Sequence, residues 1–218
     1  MPLNAAPTKR GLVIVGSGGH AKVIIEIARA EGRFDLVGCT DSHSTAPDVL
    51  GVPMLGDDSL LPGLLANGTR HAFVALGANA PRLRLGRALL AQGFEMPSLI
   101  HPSATISPSA RIGRGVAVMA GAVINASAEI GDFCIVNTLA SIDHDCVLED
   151  GVHVAPRTAL AGCVHLEEAV FLGAGAVAIP GIRVGTRTVI GAGGVVISDL
   201  PPNAVAVGVP ARPKHSSK

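Results

Sequence analysis

The sequence predicts two structures in series, a small α/β domain built on a parallel sheet and then a parallel β-helix. Three observations carry that reading. Residues 11–100 alternate short apolar runs with stretches of helical period. From Ile100 onward an apolar residue recurs at every sixth position. The chain of 218 residues is 48% hydrophobic but only 2% aromatic, without Trp or Tyr, so its interior must be made of small aliphatic side chains.

In the first part, "GLVIVG" (11–16) reads as a buried parallel strand and "HAKVIIEIARAEG" (20–32) as an amphipathic helix stopped by Gly32. "FDLVGCTD" (34–41) gives a second strand, and the Asp pair in "DDSLLPGLLANG" caps a short helix. "HAFVALG" (71–77) is a further strand and "PRLRLGRALLAQG" a further helix. The order is βαβαβ, which makes a parallel sheet covered by helices, here over residues 1–99.

In the second part, residues 100–201, stepping by six from Ile100 to Val196 meets seventeen hexads, all headed by Ile, Leu or Val except at Ala178. Four residues after each head the side chain is usually small, as at Ala104, Ala122, Cys134, Ala140, Cys146 and Ala176. One branched and one small inward residue per hexad fill a narrow triangular prism, with residues 18 apart stacked about 4.8 Å above one another. Three outward rows follow. Thr105, Val123, Ser141, Ala159, Val177 and Val195 form one apolar row; Ala117, Ile135, His153, Phe171 and Val189 form a second. The third is polar, with Arg111, Glu129, Val147, His165 and Arg183. Two apolar rows predict two covered faces, and a heterologous contact between them closes most simply into a homotrimer. Residues 202–218 are read as a C-terminal tail.

Composition narrows the function. Lys plus Arg and Asp plus Glu are both 17, which excludes the basic footprint of a nucleic-acid binder. No apolar stretch is long enough for a membrane span, and "MPLNAAPTKR" lacks a signal peptide, so the expected compartment is the cytoplasm. The four cysteines show no CxxC spacing. Cys134 and Cys146 fall on the small inward position and Cys163 beside it, so they read as core thiols, and no metal is expected.

"VGSGGH", "IHPSATISPSARIG", "NTLASIDHDC" and "VGVPAR", in this order, make the chain resemble the hexapeptide-repeat acyltransferases. Within them it is most similar to the nucleotide-sugar N-acetyltransferase and sialic-acid O-acetyltransferase group. The resemblance covers nearly the whole chain. It implies a left-handed β-helix, a Rossmann-like nucleotide-sugar-binding domain in front of it, trimers with active sites between subunits, and acetyl-CoA as co-substrate. By the same resemblance His144 is the general base and Asp145 the carboxylate that raises its basicity, although Asp143 flanks the other side and many relatives carry Glu where this chain has Asp145. His153, Ala174 and Ala192 match acetyl-CoA contacts. Gly18, Gly19 and His20, with Thr40, Asp41 and Gly77, match the nucleotide-sugar site.

The chemistry fits these residue types. An amine attacking a thioester sheds a proton, and imidazole titrates near neutrality. Gly162 stacks one coil above His144, where bare backbone can approach a thioester and an N–H can meet the oxyanion. "GSGGHA" fits GxGxxA, with Asp41 at a strand end as a ribose binder would be. A single half-size unit suits a mononucleotide, its diphosphate held at the helix N-terminus. The expected activity is acetyl transfer to the amino group of a nucleotide-linked 4-amino-4,6-dideoxy sugar for surface glycan synthesis. The rivals are O-acetylation of a sialic-acid-type sugar and a non-catalytic NAD-binding or structural β-helix. His43, His101 and His165 are read as solvated residues.

Overall fold

Strand β1 (Arg10–Val15) is flanked on one side by β2 (Phe34–Thr40) and on the other by β5 (His71–Val74), both parallel to it. Helix α1 (Gly19–Glu31) makes the first crossover and ends where Gly32 takes φ 68°, the left-handed conformation that glycine adopts without strain. A small ladder of β3 (Asp48–Val49) and β4 (Val52–Gly56), which the apolar pattern did not reveal, completes the sheet in the order β3-β4-β2-β1-β5. Asp57 caps the single 3₁₀ turn that leads into α2 (Leu61–Ala66), and α3 (Asn79–Gln92) closes the domain. This is the computed structural model of the chain over residues 10–214. The first nine residues, on which the signal-peptide expectation mostly rests, lie outside the described range.

From Leu99 the chain winds into a left-handed parallel β-helix of two-residue strands on three sheets. Register is 18 residues per coil up to Val196, as in Val123↔Ser141, Glu129↔Val147 and Ile135↔His153, and shortens to 16 at the last rung, Val189↔Val205. The second residue of each strand is the hexad head and points inward, and a continuous core runs from Val116 to Ala211. Cys134 and Cys146 lie fully buried in it, their thiols donating to the Glu149 and Ala161 carbonyls at 3.2 and 3.1 Å. Residues 205–213, assigned to the tail by the sequence pattern, add two more strands to the third sheet.

One apolar row has a different partner from the one its pattern suggested. Ala117 and Ile135 are 1% exposed because the N-terminal domain of the same chain covers them, with Ile24 of α1, Leu99 and Met119 in one core. Phe133 rises from a coil corner into a second shared core against Leu83 and Leu89 of α3. Gly86 makes room for it, since a Cβ there would lie 2.5 Å from the Phe133 ring. The row from Thr105 to Val195 keeps its apolar surface open, with Val177, Ile179 and Ile197 on or beside it exposed.

Arg82 fixes the two parts to each other. Its buried guanidinium donates to the carbonyls of Leu76 and Gly77 at 3.0 Å, to Asn79 Oδ1 at 2.9 Å, and across the boundary to Phe133 O and Gly151 O at 2.8 and 2.9 Å. Five oxygens thus satisfy a cation that has no carboxylate partner, and burial brings its pKa down to about 10.

Candidate functional site

From Gly115 to Gly193 the third residue after the hexad head turns a corner of the prism in the left-handed region: φ is positive at Ser127, Phe133, Leu139, Asp145, Arg157, Cys163 and Ala169, and at glycines such as Gly151 and Gly175. A residue in that conformation aims its side chain away from the core. Asp145 (φ 56°) is therefore thrown outward beside His144, and its Oδ2 lies 2.8 Å from the His144 Nδ1. Asp143 does something else. Its Oδ1 accepts the His144 backbone N–H at 2.8 Å and an Asn125 amide proton at 3.0 Å, which fixes the corner rather than the ring. The Asp145 hydrogen bond, helped by the Asp143 charge, raises the imidazole pKa above its ordinary value. With Nδ1–H held by Asp145, Nε2 carries the lone pair.

That face of the ring lies over Gly162. A Cβ on Gly162 would stand 2.5 Å from His144 Cε1 and 2.6 Å from Nε2, so only glycine admits the ring in this position. His144, Asp145 and Gly162 are thus brought together on one corner, the two side chains exposed and Gly162 buried beneath the ring.

The glycine loop forms a second centre at the carboxyl ends of β1 and β2, where strand order reverses about β1 and ligands of open α/β sheets bind. Gly18 caps α1 without a side-chain hydrogen bond, and a Cβ at Gly18 or Gly19 would meet nothing within 4 Å, so the backbone at the start of α1 is open to close approach. Asp41 Oδ2 accepts the Ser17 hydroxyl at 2.7 Å and the Ser17 N–H at 3.0 Å. These bonds hold its carboxyl below the usual range, foremost the Ser17 hydroxyl and then the His43 N–H. Thr40 is buried and donates to Asp58 Oδ1 at 2.7 Å. Beside them opens a cleft of about 560 Å³ lined by Gly16, Thr40, Asp41, Asp58, Leu76 and Arg84 among others, large enough for a nucleoside.

The remaining residues sit between these centres or apart from them. His153 is buried at the junction. Its Nδ1 is 3.4 Å from the Gly77 carbonyl, its Nε2 is 3.2 Å from the Asn137 amide, and Phe171 packs edge-on against the ring at 5.1 Å. His20 enters the same interior from α1 with its Nε2 buried and unpartnered. Burial, and then the Arg82 charge, push both imidazoles down to about 4, so both are neutral at pH 7. Ala174 and Ala192 stack on successive coils, Gly193 N–H donating to Ala174 O at 2.9 Å, on a different corner of the prism from His144. Within one chain His144 is therefore not joined to the Ala174–Ala192 corner. His165 belongs to a surface ladder, bonded to Glu149 at 2.9 Å and Arg183 at 3.0 Å.

The sequence reading missed Ser17, Asp58 and Arg82. Ser17 lay inside the quoted loop. Arg82 shares an α3 face with Gly86 and Leu89, a cation on an apolar stripe, and that was the available signal.

Residues 11–89 match the family model of the PglD N-terminal domain. The chain is 50% identical to the perosamine N-acetyltransferase PerB of Caulobacter crescentus, whose structure holds CoA and GDP-perosamine; the match covers 97% of this chain and all of that one, with a TM-score of 0.91. The acetyltransferase domain of PglB from Neisseria gonorrhoeae, in complex with acetyl coenzyme A, is 39% identical over 94% of this chain and all of that one, with a TM-score of 0.90. The GDP-perosamine N-acetyltransferase of Escherichia coli O157:H7 is 30% identical over 57% of this chain and 56% of its own length. A galactoside O-acetyltransferase of Lactococcus lactis is 51% identical over 24% of this chain and 25% of its own. The aligned stretch thus spans between a quarter and just over half of these two curated relatives.

Proposed function

The chain belongs to the hexapeptide-repeat nucleotide-sugar N-acetyltransferases, and from that premise we propose that it moves an acetyl group from acetyl-CoA to the amino group of a GDP-linked 4-amino-4,6-dideoxy sugar such as GDP-perosamine. The observation that carries this reading is the His144–Asp145 pair seated over Gly162 in the same molecule as a nucleoside-sized cleft.

Each chain group has a part. The cleft at Thr40, Asp41 and Asp58 takes the nucleoside, Asp41 meeting the ribose, and the Gly18–Gly19 amides at the start of α1 take the diphosphate. The Gly77 loop and His20 lie where the sugar would leave the diphosphate. His144 Nε2 accepts the proton that the amino group sheds as its nitrogen bonds to the thioester carbon. Asp145 keeps the proton on Nδ1 and stabilises the imidazolium that results. The Gly162 backbone faces the tetrahedral oxyanion, and the imidazolium then returns its proton to the departing thiolate, which closes the proton balance. Ala174, Ala192 and His153 are assigned to acetyl-CoA, with the neutral His153 acting as a fixed polar wall rather than as a base.

The open apolar row supports a homotrimer. It lies between the His144 corner and the Ala174–Ala192 corner, so a neighbour docked there sets one chain's base beside another chain's acetyl-CoA contacts. The same proposal assigns the step to the cytoplasm and to lipopolysaccharide O-antigen synthesis. The test is direct: incubate the protein with acetyl-CoA and a panel of GDP-, UDP- and dTDP-linked amino sugars and follow free thiol. Turnover with the GDP-linked amine and not with its 4-hydroxy counterpart is expected; thiol release with sialic acid alone would favour O-acetylation.

A further inference from the structure

The hexad register sets Cys163 beside the inward position, and the sequence reading took it for a core thiol. The structure puts it outside. It is a corner residue at φ 60°, its N–H donates to the His144 carbonyl at 2.9 Å, and it is exposed whereas Cys39, Cys134 and Cys146 are buried. It stands one coil above Asp145. Its Sγ, a ring nitrogen of His144 and a carboxylate oxygen of Asp145 all lie within 4.8 Å of one another, the only such triple among the described residues.

One nitrogen, one oxygen and one sulfur donor are a set that suits a borderline-soft divalent cation, and too few hard oxygens for Mg²⁺ or Ca²⁺. Around tetrahedral Zn²⁺, with bonds of about 2.0–2.3 Å, neighbouring donors stand about 3.3–3.7 Å apart. The present spacing needs the thiol to swing in by at most about 1.5 Å and the His144–Asp145 pair, now at 2.8 Å, to open by about 0.5 Å. All three side chains are exposed, so torsions about their own bonds supply both movements without disturbing the core.

We propose that Cys163, His144 and Asp145 form an exchangeable Zn²⁺ site, and that its occupation switches acetyl transfer off. Three protein donors leave the fourth position to water, and exposure keeps the ion exchangeable, unlike a closed structural site. Coordination at Nδ1, the nitrogen that faces Asp145, leaves the ring's single proton on Nε2, which then has no lone pair for the amine's proton, and it draws Asp145 away from the ring. The binding half of the proposal stands on geometry alone; the inhibitory half rests on His144 being the base.

The experiment uses the tag-free full chain and Co²⁺ as a spectroscopic stand-in for Zn²⁺. Titration with Co²⁺ should give a thiolate-to-metal charge-transfer band in the near ultraviolet and the intense visible bands of tetrahedral cobalt. Both should vanish in Cys163→Ser and be displaced by Zn²⁺ in the unmodified chain. In parallel, initial rates of sugar acetylation followed by chromatography should fall with added Zn²⁺. Cys163→Ser should need at least about tenfold more Zn²⁺ for the same inhibition, with its metal-free kcat within about twofold of the unmodified chain. Absence of the thiolate band, or equal Zn²⁺ sensitivity in Cys163→Ser, overturns the site. A thiolate band without inhibition overturns the switch, while the role given to His144 stands or falls on the metal-free kcat of His144→Asn.

Discussion

Gly162→Ala tests the active corner at the level of one methyl group. The added Cβ would stand 2.5 Å from His144 Cε1 and 2.6 Å from Nε2, whereas ordinary contact begins at 3.4 Å, so the ring must retreat by about 0.9 Å. It can do so, because the His144 side chain is 56% exposed and the φ of Gly162 lies outside the left-handed region, so alanine adds no backbone strain. The fold therefore loses little, and the melting temperature should shift by less than about 3 °C. The base, however, is displaced by nearly 1 Å from the attacking nitrogen, an error of the size that costs about 10²-fold in rate. The assay is steady-state acetylation of GDP-perosamine beside a thermal melt. The expected result is kcat down by about two orders of magnitude with KM for both substrates within about threefold. Gly131→Ala is the contrasting control, since its Cβ would strike backbone atoms of the next coil at 2.8 Å and must cost stability instead. A Gly162→Ala protein that keeps its kcat, or loses activity only in step with its melting temperature, refutes the placement of the reaction over Gly162.

His144→Asn should lower kcat by about 10²–10⁴-fold with binding largely intact, as expected when only the proton acceptor is lost. Because the His144 pKa is raised, the acid limb of the rate profile should lie above the ordinary imidazole value, and Asp145→Asn should move that limb to lower pH while reducing kcat. His20 and His153 have folded pKa values of about 4, below the unfolded 6.5, so their contribution to stability is complete above pH 6.5 and is lost as pH falls toward 4. Melting temperature should fall across that window, and His153→Gln should flatten the fall. Finally, Val177→Arg, on the open row, should yield a folded monomer by sedimentation, whereas Ile135→Arg, buried under the chain's own N-terminal domain, should lower the melting temperature instead of splitting the assembly. A Val177→Arg chain that still sediments as a trimer would remove the open row from the interface.

The hexads were legible because a β-helix repeats one local environment at a fixed period, so the identity of Ile142, Leu160 and Ala178 as core follows from arithmetic. The same arithmetic held more than the core reading took from it. From Gly115 to Gly193 the left-handed corner falls three residues after the hexad head, and it is this position that sends Asp145 and Cys163 outward. A reading that assigned only inward and outward rows left the corners undescribed, and so set Cys163 with the buried cysteines. β3 and β4 were missed for another reason: strands of two and five residues with Pro53 and Gly56 give no period to detect.

The harder inference from sequence was what covers each face. Hydrophobicity states that Ile135 and Val177 both avoid water, but the word is the same whether the cover is a neighbouring chain or the domain that precedes it. Two glycine- and charge-level details tell the cases apart. Gly86 leaves a hollow in α3 that Phe133 fills, and Arg82 reaches across the boundary to Phe133 O and Gly151 O. A guanidinium buried without a carboxylate is tolerable only if its oxygens are held in place, so the N-terminal domain is locked to the coil rather than tethered to it. That lock also joins Gly77, whose carbonyl Arg82 and His153 both approach. The loop between β5 and α3 is thus fixed to the coil, and through Arg82 the cleft proposed for the nucleotide is held at a constant position relative to the corner proposed to carry the base. For a reaction in which a large donor and a large acceptor must place two atoms within bonding reach, such rigidity between the two binding parts is what turns two sites into one.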